Sequence, residues 1–205
     1  MPSAPAFSEL APGVFGWSVF DAERGLDFNG LFVVTPGGNA IVDPPQLGVA
    51  QMDALWARGG VAAIVITNRH HGRRTHELVQ RTGAEVWAHE SDAPALDLQV
   101  DRTFTDGAAL PGGMTAIAVP HSKSPGETAL LLPRDGGTLI VGDAVIGTPR
   151  GALSLLPEPK VPDAAKARDG LRVLLGHAWT RLLVGDGAQP ANGREALQAL
   201  VGAAG

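Results

Sequence analysis

The residues best suited to chemistry lie in one loop that directly follows an apolar, β-branched run. Residues 63–67 read Ala-Ile-Val-Ile-Thr, and residues 68–76 then read Asn-Arg-His-His-Gly-Arg-Arg-Thr-His. Imidazole nitrogens and amide oxygens are potential metal ligands, whereas a guanidinium group carries a fixed positive charge and has no acceptor. The loop therefore has the composition of a metal site from which several ligands are missing.

Later segments of the chain place further ionisable side chains behind apolar runs. His121 follows Val-Pro, Asp143 follows Ile-Val-Gly, and Asp186 lies between two glycines after Leu-Leu-Val. Lys123 and Glu127 lie close to His121 in sequence. The chain has no cysteine, so it can form neither a disulfide nor a thiolate metal site, and any metal ligand must be His, Asp, Glu or Asn.

Composition limits the classes of protein to which the chain can belong. Its 205 residues, 44% of them hydrophobic and 18% charged, predict one globular domain spanning residues 1–205. The net charge of -5, without a basic cluster beside aromatic residues, argues against nucleic acid as a partner. No apolar run has membrane-spanning length, and residues 1–12 lack a secretory pattern. We expect a cytoplasmic protein with a small-molecule partner, and a homo-oligomer is possible.

Short apolar runs predict more strands than helices. The two turns Pro-Gly-Gly at 36–38 and Asp-Gly-Gly at 135–137 predict hairpins, and Asn29-Gly30 is predicted as a turn and close-approach position. Apolar periodicity predicts helices over 47–58, 75–82 and 162–175 and from 192 onward. Because the helices are inserted between groups of strands, we expect two sheets with helices outside them. The predicted strands cover 14–20, 31–35, 39–43, 62–67, 85–88, 114–119, 128–132, 138–142 and 181–185.

The order of these elements and motifs resembles the metallo-β-lactamase superfamily over nearly the whole chain. The resemblance implies an α+β fold, a metallo-β-lactamase-like αββα four-layer sandwich whose loops surround one or two metal ions. The first loop of that family usually reads Thr-His-x-His-x-Asp-His. Here Thr67 matches the leading Thr and His70 matches the second His, while Asn68 replaces the first His. Gly72 replaces the Asp and Arg73 replaces the last His.

The later family motifs are also present in part. His121 matches the next ligand position and is followed by the expected Pro-Gly at 125–126. Asp143 matches the bridging Asp, and Asp186 stands where a terminal Gly-His-Gly would carry its His. Asp43 corresponds to a position that braces the first loop rather than binding metal. The resemblance thus implies that the second metal site is lost, because Gly72 offers no ligand and Arg73 repels a cation.

The surviving residues leave two main hypotheses about function. The first is a hydrolase of a small ester, thioester or lactone with at most one divalent metal ion, zinc foremost and iron or manganese as alternatives. Asp143, Asp186 and His71 would then serve catalysis, the proton being accepted by Asp186. Metal binding and its absence are equally open. The ligand set that the resemblance implies for that ion is His70, His121, Asp143 and Asn68.

The second hypothesis is a metal-free, non-catalytic member of the fold that binds a small ligand. Arg73 or Lys123 would then occupy the cation position and pair with Asp143 and Asp186, since unpaired buried carboxylates are costly. The same charges could instead serve general acid/base chemistry. The sequence leaves open whether His70 or His71 faces inward.

A third hypothesis concerns residues 147–161, which contain several prolines and no clear periodicity. Their three leucines, Leu153, Leu155 and Leu156, could dock onto a neighbouring subunit. The segment could equally form a lid over the pocket or pack on a core of its own.

Overall fold

Two β-sheets packed face to face form the centre of the computed structural model, which describes residues 6–161 and 163–203. The first sheet has seven strands in sequential order, β1 to β7. The first three pairs are antiparallel and the last three are parallel. Its strands are β1 (Ser8–Ala11), β2 (Val14–Asp21), β3 (Leu26–Val33), β4 (Ala40–Val42), β5 (Ala63–Ile66), β6 (Glu85–His89) and β7 (Arg102–Phe104).

The second sheet has five strands in the order β12-β11-β10-β9-β8. Its neighbours are antiparallel except for the parallel pair β11 and β12. Its strands are β8 (Ala109–Leu110), β9 (Met114–Ala118), β10 (Thr128–Leu132), β11 (Thr138–Val141) and β12 (Arg181–Val184). The helices are α1 (Val49–Trp56), α2 (Thr75–Thr82), α3 (Ala164–Gly170), α4 (Arg172–Leu175) and α5 (Gly193–Gly202). None of the helices in the described residues is long and apolar enough to cross a bilayer.

Three apolar clusters define four layers. The central cluster joins the sheets, with Leu31 and Val65 of the first against Leu130 and Ile140 of the second. A second cluster packs α1 and α2 on the outer face of the first sheet, and a third packs α4 and α5 on the second. Burial of apolar surface on both faces of each sheet is the main stabilising term. The predicted α+β, αββα four-layer sandwich is confirmed.

The polar loops lie at one edge of the sandwich. Strand β5 ends at Ile66, before the histidine-rich loop, and β4 ends before Asp43. In the second sheet β11 and β12 run parallel, so Asp143 and Asp186 leave the sheet at the same edge. The backbone N–H of Asn29 donates to the carbonyl oxygen of Gly185 at 2.8 Å, which ties the two sheets together there. Residues distant in sequence are thereby brought to one place.

Several local predictions differ from the structure. Asn29-Gly30, predicted as a turn and close-approach position, forms no turn and lies within β3, but Gly30 is a close approach, because it makes room for the rings of Trp17 and Pro45. The helix predicted over 162–175 is divided between α3 and α4, and Pro162 lies outside the described residues. The short strands β1, β7 and β8 were not predicted, because their residues, Ser-Glu-Leu-Ala, Arg-Thr-Phe and Ala-Leu, contain no β-branched apolar run.

The irregular segment 147–161 packs against its own part of the molecule. Leu156 joins Ile146, Val161 and Ala167 in a small apolar cluster, and Leu155 packs half-buried against it. Leu153 belongs to the cluster under the second sheet. The lid and docking roles of this segment and the single-domain span of 1–205 stay predictions.

Candidate functional site

Of the two adjacent histidines, His71 faces inward and His70 is exposed. The loop turns back on itself because the backbone N–H of His71 donates to the carbonyl oxygen of Asn68 at 3.0 Å. The Asn68 side-chain oxygen accepts from the backbone N–H of His70 at 2.9 Å. That oxygen therefore holds the loop conformation. The ring of His71 packs over Gly185, where a Cβ atom would approach its Cε1 to 3.0 Å.

Asp43 fixes the orientation of His71 from the end of β4. One carboxylate oxygen accepts from the Thr67 backbone N–H at 2.9 Å, and the other accepts from the Thr67 hydroxyl at 2.6 Å. The second oxygen also lies 2.7 Å from Nδ1 of His71. Asp43 adopts a positive φ of 48°, which is uncommon for a residue other than glycine. It thus braces the loop and leaves Nε2 of His71 directed at the two later aspartates.

The two later aspartates converge on Nε2 of His71. Asp143 Oδ1 lies 3.5 Å from it and Asp186 Oδ1 lies 3.9 Å from it. One ligand atom from each of the three residues lies within 4.8 Å of the others, and all three residues are buried. In residues 6–161 and 163–203 this is the one group of three or more His, Asp or Glu side chains with metal-site spacing.

Arg73 occupies the same space. Its Nη2 donates to Asp186 and to the carbonyl oxygen of Gly185 at 3.2 Å, and it lies 3.3 Å from Nε2 of His71. Its Nη1 donates to the carbonyl oxygens of Asn29 at 2.8 Å and Asp43 at 3.1 Å. The guanidinium carbon also lies 4.8 Å from the centre of the Phe28 ring, a cation–π contact. With only 7% of its side chain exposed, Arg73 is held firmly.

Lys123 supplies a second fixed cation. Its Nζ donates to Asp143 Oδ2 at 2.8 Å, and 15% of its side chain is exposed. Nearby, the buried Glu127 accepts from the Ala144 backbone N–H at 3.1 Å through Oε1. Its Oε2 has no hydrogen-bond partner in the described residues. We call His71, Arg73, Lys123, Asp143 and Asp186 the pocket cluster.

The charges of the pocket cluster shift its pKa values. Burial and the Arg73 guanidinium lower the pKa of His71, but Asp43 and the hydrogen bonds with Asp143 and Asp43 outweigh them and raise it to about 10. Burial opposes ionisation of Asp143, yet His71 and Lys123 hold the pKa of that carboxyl well below its usual value. Burial raises the pKa of Asp186 against the opposing effects of His71 and Arg73. Burial and the charge of Asp143 also raise the pKa of Glu127.

Of the metal ligands implied by the resemblance, Asp143 belongs to the group with metal-site spacing, whereas His70 and His121 do not. His121 is exposed, with a positive φ of 61°, and neither it nor the exposed His70 belongs to the group with metal-site spacing. His71 and Asp186 take part in that group instead, because Asp43 turns the loop so that residue 71 points inward. The residues for which the resemblance implied a metal role were His70, His121, Asp143 and Asn68.

The group that is assembled does not fit a resident metal ion. A ligand imidazole needs a free lone pair, whereas Nδ1 of His71 lies 2.7 Å from Asp43 and its Nε2 faces Asp143 and lies 3.3 Å from Arg73 Nη2. Arg73 bonds to Asp186, and Lys123 bonds to Asp143. Two fixed cations thus already pair with the carboxylates that a metal ion would need, so a divalent ion would add positive charge beside them.

A cavity of about 280 Å³ opens over the pocket cluster. Phe28 and the charged residues Asp21, Glu23 and Arg24 line it from the β2–β3 hairpin, together with His70 and the whole pocket cluster. A neighbouring cavity of about 480 Å³ shares Glu23, Arg24 and Asp186 with it and has apolar walls that include Ile146, Leu155 and Leu156. The site therefore joins a charged cavity to a more apolar one.

A second polar cluster, which the sequence did not reveal, lies behind the loop. The buried carboxylate of Asp92 accepts from the backbone N–H and Nε of Arg69 at 2.9 and 2.8 Å. It also accepts from the Ser124 hydroxyl and from the Gly126 backbone N–H. No motif marked Asp92, since its partners come from two other loops. We call Arg69, Asp92, Ser124 and Gly126 the Asp92 cluster.

Comparisons with known proteins agree with the architecture. The model of the metallo-β-lactamase superfamily matches residues 8–204. No curated protein matches the chain in sequence.

Three solved structures illustrate the likeness. A metallo-β-lactamase from Hirschia baltica shares 15% identity at a TM-score of 0.75, over 95% of each chain. One from Pontibacter korlensis shares 18% identity at 0.74, over 96% of this chain and 99% of its own. A protein crystallised in a di-iron-bound form shares 23% identity at 0.66, over 88% and 96%. At these identities the likeness establishes the fold and leaves the chemistry to the residues described above.

Proposed function

Because the chain belongs to the metallo-β-lactamase superfamily, a family of hydrolase-like proteins, we propose that its pocket binds a small carbonyl-bearing molecule without a resident metal ion. The ligand would be an ester, a thioester or a lactone, the substrate class that the family resemblance implies. The chain's own side chains would hold it. The protein would thus be a non-catalytic, ligand-binding member of the superfamily.

The observation that carries this proposal is the position of Lys123. Its ammonium group has three donors, of which one is used on Asp143, and it lines the cavity. A carbonyl oxygen in the cavity would accept a hydrogen bond from one of the remaining donors. The apolar part of the ligand would lie toward Leu155 and Leu156 in the neighbouring cavity. Apolar walls with a few placed polar groups are typical of small-molecule sites.

Binding is favoured over hydrolysis because the cavity lacks an activated nucleophile. None of the residues that line it is Ser, Thr or Cys. Imidazole can act as a general base only when it is neutral, whereas His71 is protonated at neutral pH. The one-metal hydrolase is the competing hypothesis, and it would require a divalent ion to displace Arg73 or Lys123 from the aspartates.

The test compares ligand binding with and without metal. Protein purified without chelator or affinity tag is mixed with γ-butyrolactone or with S-acetyl-N-acetylcysteamine, and binding is followed by saturation-transfer NMR. We expect binding that EDTA does not change and that Lys123→Gln weakens about tenfold, since a hydrogen bond to a charged donor contributes about 1.5–3 kcal/mol.

Lys166→Gln is the matched control, because Lys166 is an exposed lysine on α3 paired with Asp163. It should leave binding unchanged. Binding or hydrolysis that appears only after addition of zinc, manganese or iron(II) would favour the metal-dependent hydrolase instead. Absence of binding by both probes under every condition would remove the carbonyl-ligand proposal. The cytoplasmic location and the oligomeric state stay predictions.

A further inference from the structure

The disagreement between the family's use of metal and the charges of this pocket points to a specific role for Arg73. We infer that Arg73 is a tethered cation that closes a latent metal site formed by His71, Asp143 and Asp186. Removing its guanidinium alone would then allow one divalent ion to bind. This inference rests on the metal-free state in the proposed function, and it adds which side chain enforces that state.

The spacing of the three residues suits a metal ion. Bonds of about 2.0–2.2 Å to nitrogen and oxygen separate two ligands on tetrahedral zinc by roughly 3.3–3.6 Å. The distances from Nε2 of His71 to Asp143 and Asp186 are 3.5 and 3.9 Å. Small rotamer adjustments would therefore complete three ligands, which is the protein ligand count of an open zinc site.

The contact between Asp43 and His71 is also typical of a metal-binding histidine. Asp43 lies 2.7 Å from Nδ1 of His71 and is itself fixed by two hydrogen bonds from Thr67. A carboxylate bonded to the far nitrogen of an imidazole orients the ring and increases the basicity of a metal-binding histidine.

The Arg73 guanidinium is buried and fixed, so it blocks access of an ion to the three residues. Its Nη2 lies 3.3 Å from Nε2 of His71 and bonds to Asp186, so it covers one edge of the three-residue group. Three backbone carbonyl oxygens and the Phe28 ring hold the guanidinium. Its backbone φ of 38° is a strained conformation for a residue other than glycine, costing on the order of 1 kcal/mol. Such restraints keep the positive charge in place without a solution ion.

The experiment titrates zinc into four variants, with isothermal titration calorimetry for stoichiometry and thermal unfolding as an independent readout. The wild type should bind no stoichiometric zinc. Arg73→Ala should bind one zinc ion, and its unfolding temperature should rise as zinc is added, because a ligand that binds the folded state stabilises it. Arg73→Lys should bind no stoichiometric zinc, because the lysine ammonium would keep a positive charge at the site.

Arg74→Ala is the matched control, because Arg74 is the neighbouring arginine, about half exposed and paired with Glu77. It should behave like the wild type. Adding Asp186→Asn to Arg73→Ala should weaken zinc binding at least tenfold, as expected when one of three protein ligands is lost. If Arg73→Ala does not fold, Arg73→Gln retains hydrogen-bond donors without the charge, and it should also bind one zinc ion.

The outcomes separate this inference from the proposed function. Folded Arg73→Ala and Arg73→Gln proteins that bind no zinc would overturn the latent site while leaving the metal-free pocket intact. Stoichiometric zinc in the wild type would overturn the metal-free state itself. Equal zinc binding by Arg73→Ala and by its double variant with Asp186→Asn would show that the ion sits elsewhere and would also overturn the inference.

Discussion

The carboxylates of the pocket cluster and of the Asp92 cluster take partners from the same two loops but differ in what surrounds them. In the first loop Arg69 points to Asp92, whereas Arg73 points to Asp186. In the second loop Ser124 points to Asp92, whereas its neighbour Lys123 points to Asp143. Adjacent residues are thus divided between two buried carboxylate sites, one behind the loops and one facing the cavity.

The two clusters differ in whether other groups of the chain already occupy all of their hydrogen-bond donors and acceptors. Asp92 accepts four hydrogen bonds from the backbone and side chains of Arg69, Ser124 and Gly126, and it does not line the charged cavity. The pocket cluster does line it, and Lys123 keeps spare donors there. A buried charge whose partners are complete contributes to the fold, whereas unused capacity beside a cavity is available to a ligand.

The largest expected effect comes from breaking the Asp92 cluster. Asp92→Ala should lower the free energy of unfolding by about 3 kcal/mol, because the donors of two loops lose their buried acceptor. Urea denaturation measures the change. Asp92→Asn should cost less, since an amide oxygen still accepts two of the hydrogen bonds. A loss below about 1 kcal/mol for Asp92→Ala would contradict the structural role of this cluster.

The next effect tests how tightly the scaffold beneath the pocket is packed. At Gly142 an added Cβ atom would lie 2.3 Å from the Thr67 hydroxyl and 2.9 Å from Nδ2 of Asn68. Gly142→Ala should therefore destabilise the protein by about 2 kcal/mol through overpacking. Gly83→Ala is a matched comparison at a position with nothing within 4 Å, where only the positive φ of 69° opposes the substitution. Equal losses at the two positions would contradict the packing argument.

A smaller effect is expected when a carboxylate of the pocket cluster is neutralised. Asp143→Asn should cost about 1 kcal/mol, less than Asp92→Ala, because the amide oxygen can still accept a hydrogen bond from Lys123. Thermal unfolding of the two variants in one buffer makes the comparison. Should Asp143→Asn prove the more damaging of the two, the division into a fold-forming and a ligand-facing cluster would be wrong.

The smallest effect is a change in acid sensitivity. Ser124 and Arg69 hold the pKa of Asp92 below its ordinary value of 3.8, against the opposing effect of burial. Its folded pKa is thus lower than its unfolded pKa, so the stability it contributes is present above about pH 3.8 and is lost as the pH falls through the folded pKa. Urea denaturation between pH 6 and pH 3 should show a shallower acid loss for Asp92→Asn than for the wild type. Parallel pH profiles would contradict this linkage.

Much of the fold was predictable because its signals are local. The apolar run before Thr67 and the Asp-Gly-Gly turn at 135–137 indicate a strand and a hairpin from a few adjacent residues. The order of such elements was sufficient to indicate the four-layer sandwich. Strands without such an apolar run, such as β8 with only Ala109 and Leu110, depend on neighbours far along the chain and were missed for that reason.

The sequence by itself determined the fold and the position of the pocket, and it named Arg73 and Lys123 as cations that could replace a metal ion. Tertiary structure alone decided that His71 rather than His70 faces the aspartates, because Asp43 reaches its Nδ1 from another strand end. It also decided which cation meets which carboxylate. These choices depend on side-chain directions within irregular loops, where neither helical nor strand periodicity specifies which residue points inward.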